Sequence, residues 1–124
     1  MPPRPTRAHP APAPPAAPDR GDVVWLDFDP QAGHEQAGRR PAVVVSPASY
    51  NRATGLALCC PVTTRVKGYP FEVPVPDGLE VAGVVLADQL KSLDWRGRRA
   101  ATFARLPLPV IGAVLVRARA LLAD

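Results

Sequence analysis

Cysteine is scarce in this chain: two occur in 124 residues, Cys59 and Cys60, side by side in an apolar run. Neighbouring strand residues point to opposite faces, so a bond between these two would demand unusual backbone geometry. Two small core residues in a reducing compartment are expected instead. There is no CxxC pair, histidine cluster or HExxH, so a structural or catalytic metal has no support, and no cofactor is expected. No segment approaches the roughly 18 consecutive apolar residues of a membrane span. The first residues lack the apolar core of a secretory signal. A cytoplasmic protein with no membrane partner is expected. Internal repeats are absent as well.

Acidic residues are outnumbered: 15 Lys and Arg against 11 Asp and Glu give a formal net charge of +4. That balance is compatible with a polyanionic partner without establishing one. Hydrophobic residues make up 47% of the chain, enough for one domain with a modest core.

Proline is plentiful but unevenly spread. Residues 1–19 hold eight of the 17 prolines, with alanine filling most of the gaps. Such a tract can build neither a ladder nor a core, so a disordered or polyproline-like leader is expected. The folded domain is expected over residues 20–124.

Within that domain, Asp22–Phe28 (DVVWLDF) reads as a first strand. A polar loop over residues 31–38 follows, and then a second strand over 40–46 (RPAVVVS) whose apolar centre suits burial on both faces. A short turn or helix over 50–54 leads to a third strand over 56–62 and a second polar loop over 63–70. A short strand lies near 71–75, and Pro76-Asp77-Gly78 marks a turn. Residues 81–93 and 99–106 read as further strands. The period then changes: Val110, Ile111, Val114, Leu115, Ala118, Leu121 and Leu122 form one helical stripe. Pro109 suits its first turn, and Arg117 and Arg119 suit its far end. Five or six strands with a terminal helix argue for a mainly β, mostly antiparallel barrel or sheet.

Three blocks, GDVVWLDFDPQAGHEQAGRRPAVVVSPASYN, CCPVTTRVKGYPFEVPV and GVVLADQLKSLDWRGR, run in order from Gly21 to Arg98. In series they resemble the signature blocks of MazF/PemK-type toxins. The resemblance implies an SH3-like barrel, an architecture shared with the CcdB toxins, and a C-terminal helix. It also implies a homodimer, metal-free endonucleolytic cleavage of single-stranded RNA at a short motif, and neutralisation by an antitoxin with an acidic disordered tail. The competing reading is a non-catalytic module on the same barrel that binds gyrase or nucleic acid. For the Pro-rich leader three readings stay open: an arm touching RNA through Arg4 and Arg7, a dispensable extension, or an over-extended translation start.

Metal-free cleavage uses the 2′-hydroxyl as an internal nucleophile. It needs a base, a cation with hydrogen-bond donors, and an acid. Arg40, in RPAVVV, stays charged and offers planar paired donors to a phosphate. From the residues alone it is equally a rim arginine in an ion pair; the resemblance implies the catalytic arginine. Thr63, in PVTT, can donate to a phosphate oxygen, and the resemblance carries it over with Thr64 as helper. Glu35 matches the family's carboxylate, acting either as base or as a loop organiser paired to Arg39 or Arg40, which would lower its pKa and its basicity. His34 departs from the usual small polar residue, and could share acid–base work or simply be solvated. Arg65 and Lys67 flank the expected site as phosphate contacts. Arg39 replaces a common histidine, and Arg96 belongs to a basic cluster with Arg98 and Arg99; both are candidates for RNA binding. Bases splayed from a single strand would stack on aromatics, for which Trp25, Tyr69, Phe71 and Trp95 are available.

Overall fold

In a computed structural model of the chain, residues 16–28 and 38–123 are described. They form seven strands and two helices. These are β1 (Asp22–Phe28), β2 (Gly38–Val44), α1 (Ala48–Thr54), β3 (Leu56–Thr63), β4 (Glu72–Pro74), β5 (Val84–Leu86), β6 (Lys91–Asp94), β7 (Ala101–Arg105) and α2 (Leu108–Ala120). β1 and β3 are rich in residues that suit a pleated, half-buried surface. α1 stops where Gly55 turns left-handed at φ 75° and returns its N–H to the Asn51 carbonyl.

The strands lie in the order β4-β5-β3-β2-β1-β7, with β6 also beside β3. Every ladder is antiparallel. The mainly β, antiparallel class with a C-terminal helix therefore matches the expectation. Among the described residues the ladders do not close into a sealed barrel, however: β4 and β7 end the series.

Alternation along the strands separates two cores. Val23, Val43, Cys60, Val62 and Val85 pack with Ile111 and Val114 of α2 on one face. On the other, Val24, Leu26, Ala42, Val44, Ala57 and Cys59 pack around Leu93 and Trp95. Both cysteines are buried and unbonded.

Three expectations are corrected. Residues 81–93 are two strands, not one. Continuing the β5 register along β3 would set Cys59 against Asp88, yet Cys59 faces Lys91, so three extra residues are extruded between β5 and β6. Cys60 and Pro61 fall opposite that interruption, and Pro61 has no N–H to contribute to a ladder. Leu121 and Leu122 are not part of the buried stripe of α2. They lie past its end, 53% and 82% exposed, while Ile111, Val114 and Ala118 are buried. Finally, the folded part begins before residue 20. Pro18 is buried and its carbonyl accepts from Asn51 Nδ2 at 2.8 Å, while Asp19 Oδ1 accepts from the Ala48 N–H at 2.9 Å. Residues 1–15, with Arg4 and Arg7, lie outside the described ones. No helix among the described residues is long and apolar enough to cross a membrane.

Candidate functional site

Arg40 and Thr63 lie at the open end of the second core. On β2, Arg40 follows the face of Ala42 and Val44; on β3, Thr63 follows that of Ala57 and Cys59. Carried two residues past the Ala42↔Pro61 pair, the β2–β3 register sets Arg40 against Thr63. Both line one cavity of about 480 Å³. Its lining also includes Phe28, Thr64, Arg65, Gln89 and Lys91.

The described lining carries three cations, Arg40, Arg65 and Lys91, and no carboxylate or imidazole. None of the three is ion-paired to a described residue. Thr63 Oγ1 accepts the Arg65 N–H at 3.1 Å, which leaves the threonine proton free to be donated into the cavity. Phe28 forms part of the wall, and the Arg98 guanidinium sits 5.1 Å above its ring. Such a pocket suits a phosphodiester: fixed positive charge, a hydroxyl donor, and an aromatic surface for an adjoining base.

A smaller cavity of about 150 Å³ shares Thr63, Arg65 and Gln89 with the first and adds Lys67, Tyr69, Glu72 and Leu86. Glu72 is buried, and its two oxygens accept the N–H groups of Lys67 and Gly68 at 2.9 and 2.7 Å. That carboxylate folds the loop carrying Arg65 and Lys67 back onto β4. Tyr69 donates to Asp88 Oδ1 at 2.9 Å. Burial and that bond push the phenol above its usual range.

The remaining candidates separate from this cluster. Arg39 lines neither cavity. It alternates to the other face of β2, where it bonds Asp27 Oδ1 at 2.6 Å and the Arg99 carbonyl at 2.8 Å. Asp27 also holds Arg99 Nε at 2.6 Å. The guanidiniums of Arg99 and then Arg39 hold the Asp27 carboxyl below the usual range. Arg96 lies over the Trp95 ring at 4.9 Å, outside both linings. Trp95 is core, and Trp25 stacks on Phe103 at 4.5 Å. Glu35 and His34 lie outside the described residues.

Sequence reasoning missed Lys91, Gln89 and Phe28. Gln89 lies in the extrusion between β5 and β6 and Lys91 opens the strand after it, a break that reading 81–93 as one strand conceals. The A-D-Q interruption in VVLADQLKSL was the one local signal.

Comparison with known proteins identifies the family of the chain. A family model described as PemK-like, MazF-like toxin of type II toxin–antitoxin system matches residues 19–122. The endoribonuclease toxin MazF of Escherichia coli K12 is 63% identical over 83 residues, covering 67% of this chain and 74% of that protein. Endoribonuclease PemK of Escherichia coli is 36% identical over 104 residues, covering 80% of this chain and 77% of that one. The toxin in a crystal structure of MazE-MazF from Deinococcus radiodurans superposes with a TM-score of 0.80 at 59% identity, over 86% of this chain and 96% of that one.

Proposed function

The chain belongs to the PemK-like, MazF-like toxins of type II toxin–antitoxin systems, and from that premise we propose that it is an endoribonuclease that cuts single-stranded RNA at the Arg40–Thr63 cavity. The observation that carries this reading is the convergence of Arg40, Thr63, Arg65 and Lys91 on one cavity with no described acid in its lining. Arg40 pairs with the non-bridging oxygens as charge builds on the phosphorane, and Thr63 donates a hydrogen bond to one of them. Thr64, beside it in the lining, is a helper. Arg65, Lys67 and Lys91 hold neighbouring phosphates.

The described lining offers no base. Glu35, which matches the family's carboxylate, is the proposed base, with His34 as an auxiliary group. The 2′-hydroxyl gives its proton to that base as its oxygen attacks the adjacent phosphorus, and the bond to the 5′-oxygen breaks as that oxygen takes a proton from the auxiliary group. The products are a 2′,3′-cyclic phosphate and a 5′-hydroxyl. Because side chains supply the positive charge, the reaction needs no metal and should persist in EDTA.

Cutting messenger RNA this way would inhibit translation and arrest growth. The partner that restrains it is an antitoxin whose acidic disordered segment lies over the same cations, and the toxin works as a cytoplasmic homodimer.

The test is cleavage of an unstructured transcript in EDTA, with product ends identified by mass spectrometry. Thr63→Ala and Arg40→Ala should each lower the rate about 10²- to 10³-fold while remaining folded, the loss typical for one oxyanion-type donor. Full activity in both would remove this mechanism. No cleavage by the wild type, with tight topoisomerase binding, would favour a non-catalytic module. Sedimentation at micromolar concentration reads the dimer, and an acidic peptide that fails to block cleavage at saturation would remove the groove-covering antitoxin.

A further inference from the structure

Gly83 precedes β5, lines neither cavity, and runs close against the backbone of Thr63. We propose that Gly83 is a positioning residue for RNA cleavage: its missing side chain lets the end of β3 settle where the Thr63 hydroxyl meets the cavity. The inference rests on the role given to Thr63 above.

The geometry leaves little alternative. Gly83 has φ +113°, a conformation that side chains disfavour. A Cβ built there would lie 2.8 Å from the Thr63 carbonyl carbon, closer still to its oxygen, and 3.2 Å from the Thr64 Cα. These obstacles are backbone, which cannot swing aside as a long side chain can. Gly83 cannot easily withdraw either, because its own carbonyl accepts the Val75 N–H at 2.9 Å and its neighbour Val84 is paired to both Thr63 and Pro74. A side chain at position 83 therefore displaces Thr63 and Thr64, both of which line the cavity.

Other glycines show that this is not merely a matter of turn geometry. Gly55, Gly68 and Gly78 also have positive φ, at 75°, 86° and 91°, yet a Cβ on any of them meets nothing within 4 Å. Among the described glycines, only Gly83 would drive a Cβ into backbone. A β-strand edge that needs close backbone approach is where glycine is expected.

Gly78 supplies the control, since Gly78→Ala imposes a positive-φ strain with no neighbour to press. The experiment measures steady-state cleavage by G83A and G78A on a transcript with a mapped cut, with circular dichroism fixing the folded fraction of each. G83A should lose about a hundredfold in kcat per folded molecule with KM nearly unchanged, as misplacement by about an ångström typically does. G78A should match the wild type. If G83A is too unstable to assay, Gly83→Asn carries the same Cβ on a residue that tolerates positive φ better, and the same loss is expected.

Cleavage by G83A at the G78A rate would overturn the proposal, as would a loss confined to KM. Unfolding of both position-83 variants beside a folded G78A would also overturn it, making Gly83 a determinant of the fold alone. Thr63→Ala separates the two levels. If that variant is inactive while G83A is fully active, only the role of Gly83 falls; if T63A cuts normally, the reading of Thr63 itself falls.

Discussion

Arg39 and Arg40 are neighbours in the chain but serve opposite faces of β2, because side chains alternate along a strand. Arg39 ties β2 to Asp27 of β1 and to the carbonyl of Arg99, whereas Arg40 opens into the cavity. Their alanine variants should therefore fail in different ways. Arg39→Ala should lower the melting temperature by a few degrees and leave kcat/KM close to wild type. Arg40→Ala should leave melting unchanged and lower cleavage about 10²- to 10³-fold. Calorimetry beside a cleavage assay reads both, and equal loss of cleavage would return Arg39 to the RNA-binding group. Cys59 and Cys60 behave as core residues. Burial pushes both thiols from an ordinary 9.0 up to about 12, helped by Cys60 in the case of Cys59 and by the Asp88 charge in the case of Cys60. A thiol pKa raised by folding stabilises fully below pH 9 and less as pH climbs toward 12, since the unfolded chain ionises first. Both thiols should resist iodoacetamide in the native state at mildly alkaline pH and react once urea unfolds the chain. Rapid native labelling would contradict their burial.

At the level of elements, what could be read in advance was whatever depends on local pattern. The first three strands, the turn at Pro76-Asp77-Gly78 and the terminal helix follow from alternation, β-branched runs and the change of period. On the residues alone Arg40 reads equally as a rim arginine and Thr63 as an ordinary strand terminus; both were singled out by the resemblance of RPAVVV and PVTT to the family's blocks. Lys91, Gln89 and Gly83 were not. Their positions follow from which β3 residue faces which partner, and a three-residue slip in a ladder leaves no local periodicity. The loop over 64–70 is a similar case, since its shape depends on Glu72, which reads in sequence as an ordinary strand residue. That dependence can be tested. Glu72→Ala leaves the part-buried N–H groups of Lys67 and Gly68 without their carboxylate acceptor, and should lower stability by roughly 1 kcal/mol in urea unfolding. With Lys67 and Arg65 no longer held, KM for RNA should rise while kcat changes little. An unchanged KM would mean that loop order is irrelevant to binding.

For the whole molecule, charge placement matters more than charge total. The net value of +4 is modest, but Arg40, Arg65 and Lys91 share one cavity and Lys67 lines the next. Cations that hold RNA phosphates release counterions, so log(kcat/KM) should fall linearly with log salt, by about 0.7 per phosphate for a single strand. Arg65→Ala and Lys67→Ala should each make that slope shallower by about 0.7, and lower the rate on different sequences nearly uniformly. Arg52 is the matched control. It sits in the last turn of α1, which leads into the start of β3, while Thr63 ends that strand. Arg52 lines neither cavity. Arg52→Ala removes the same unit of charge and should leave the slope unaltered. Equal shifts in all three variants would mean that RNA senses only the overall field of the protein. A shift confined to Arg65 and Lys67 would mean that these side chains touch the strand, with the scissile phosphate between them and Arg40.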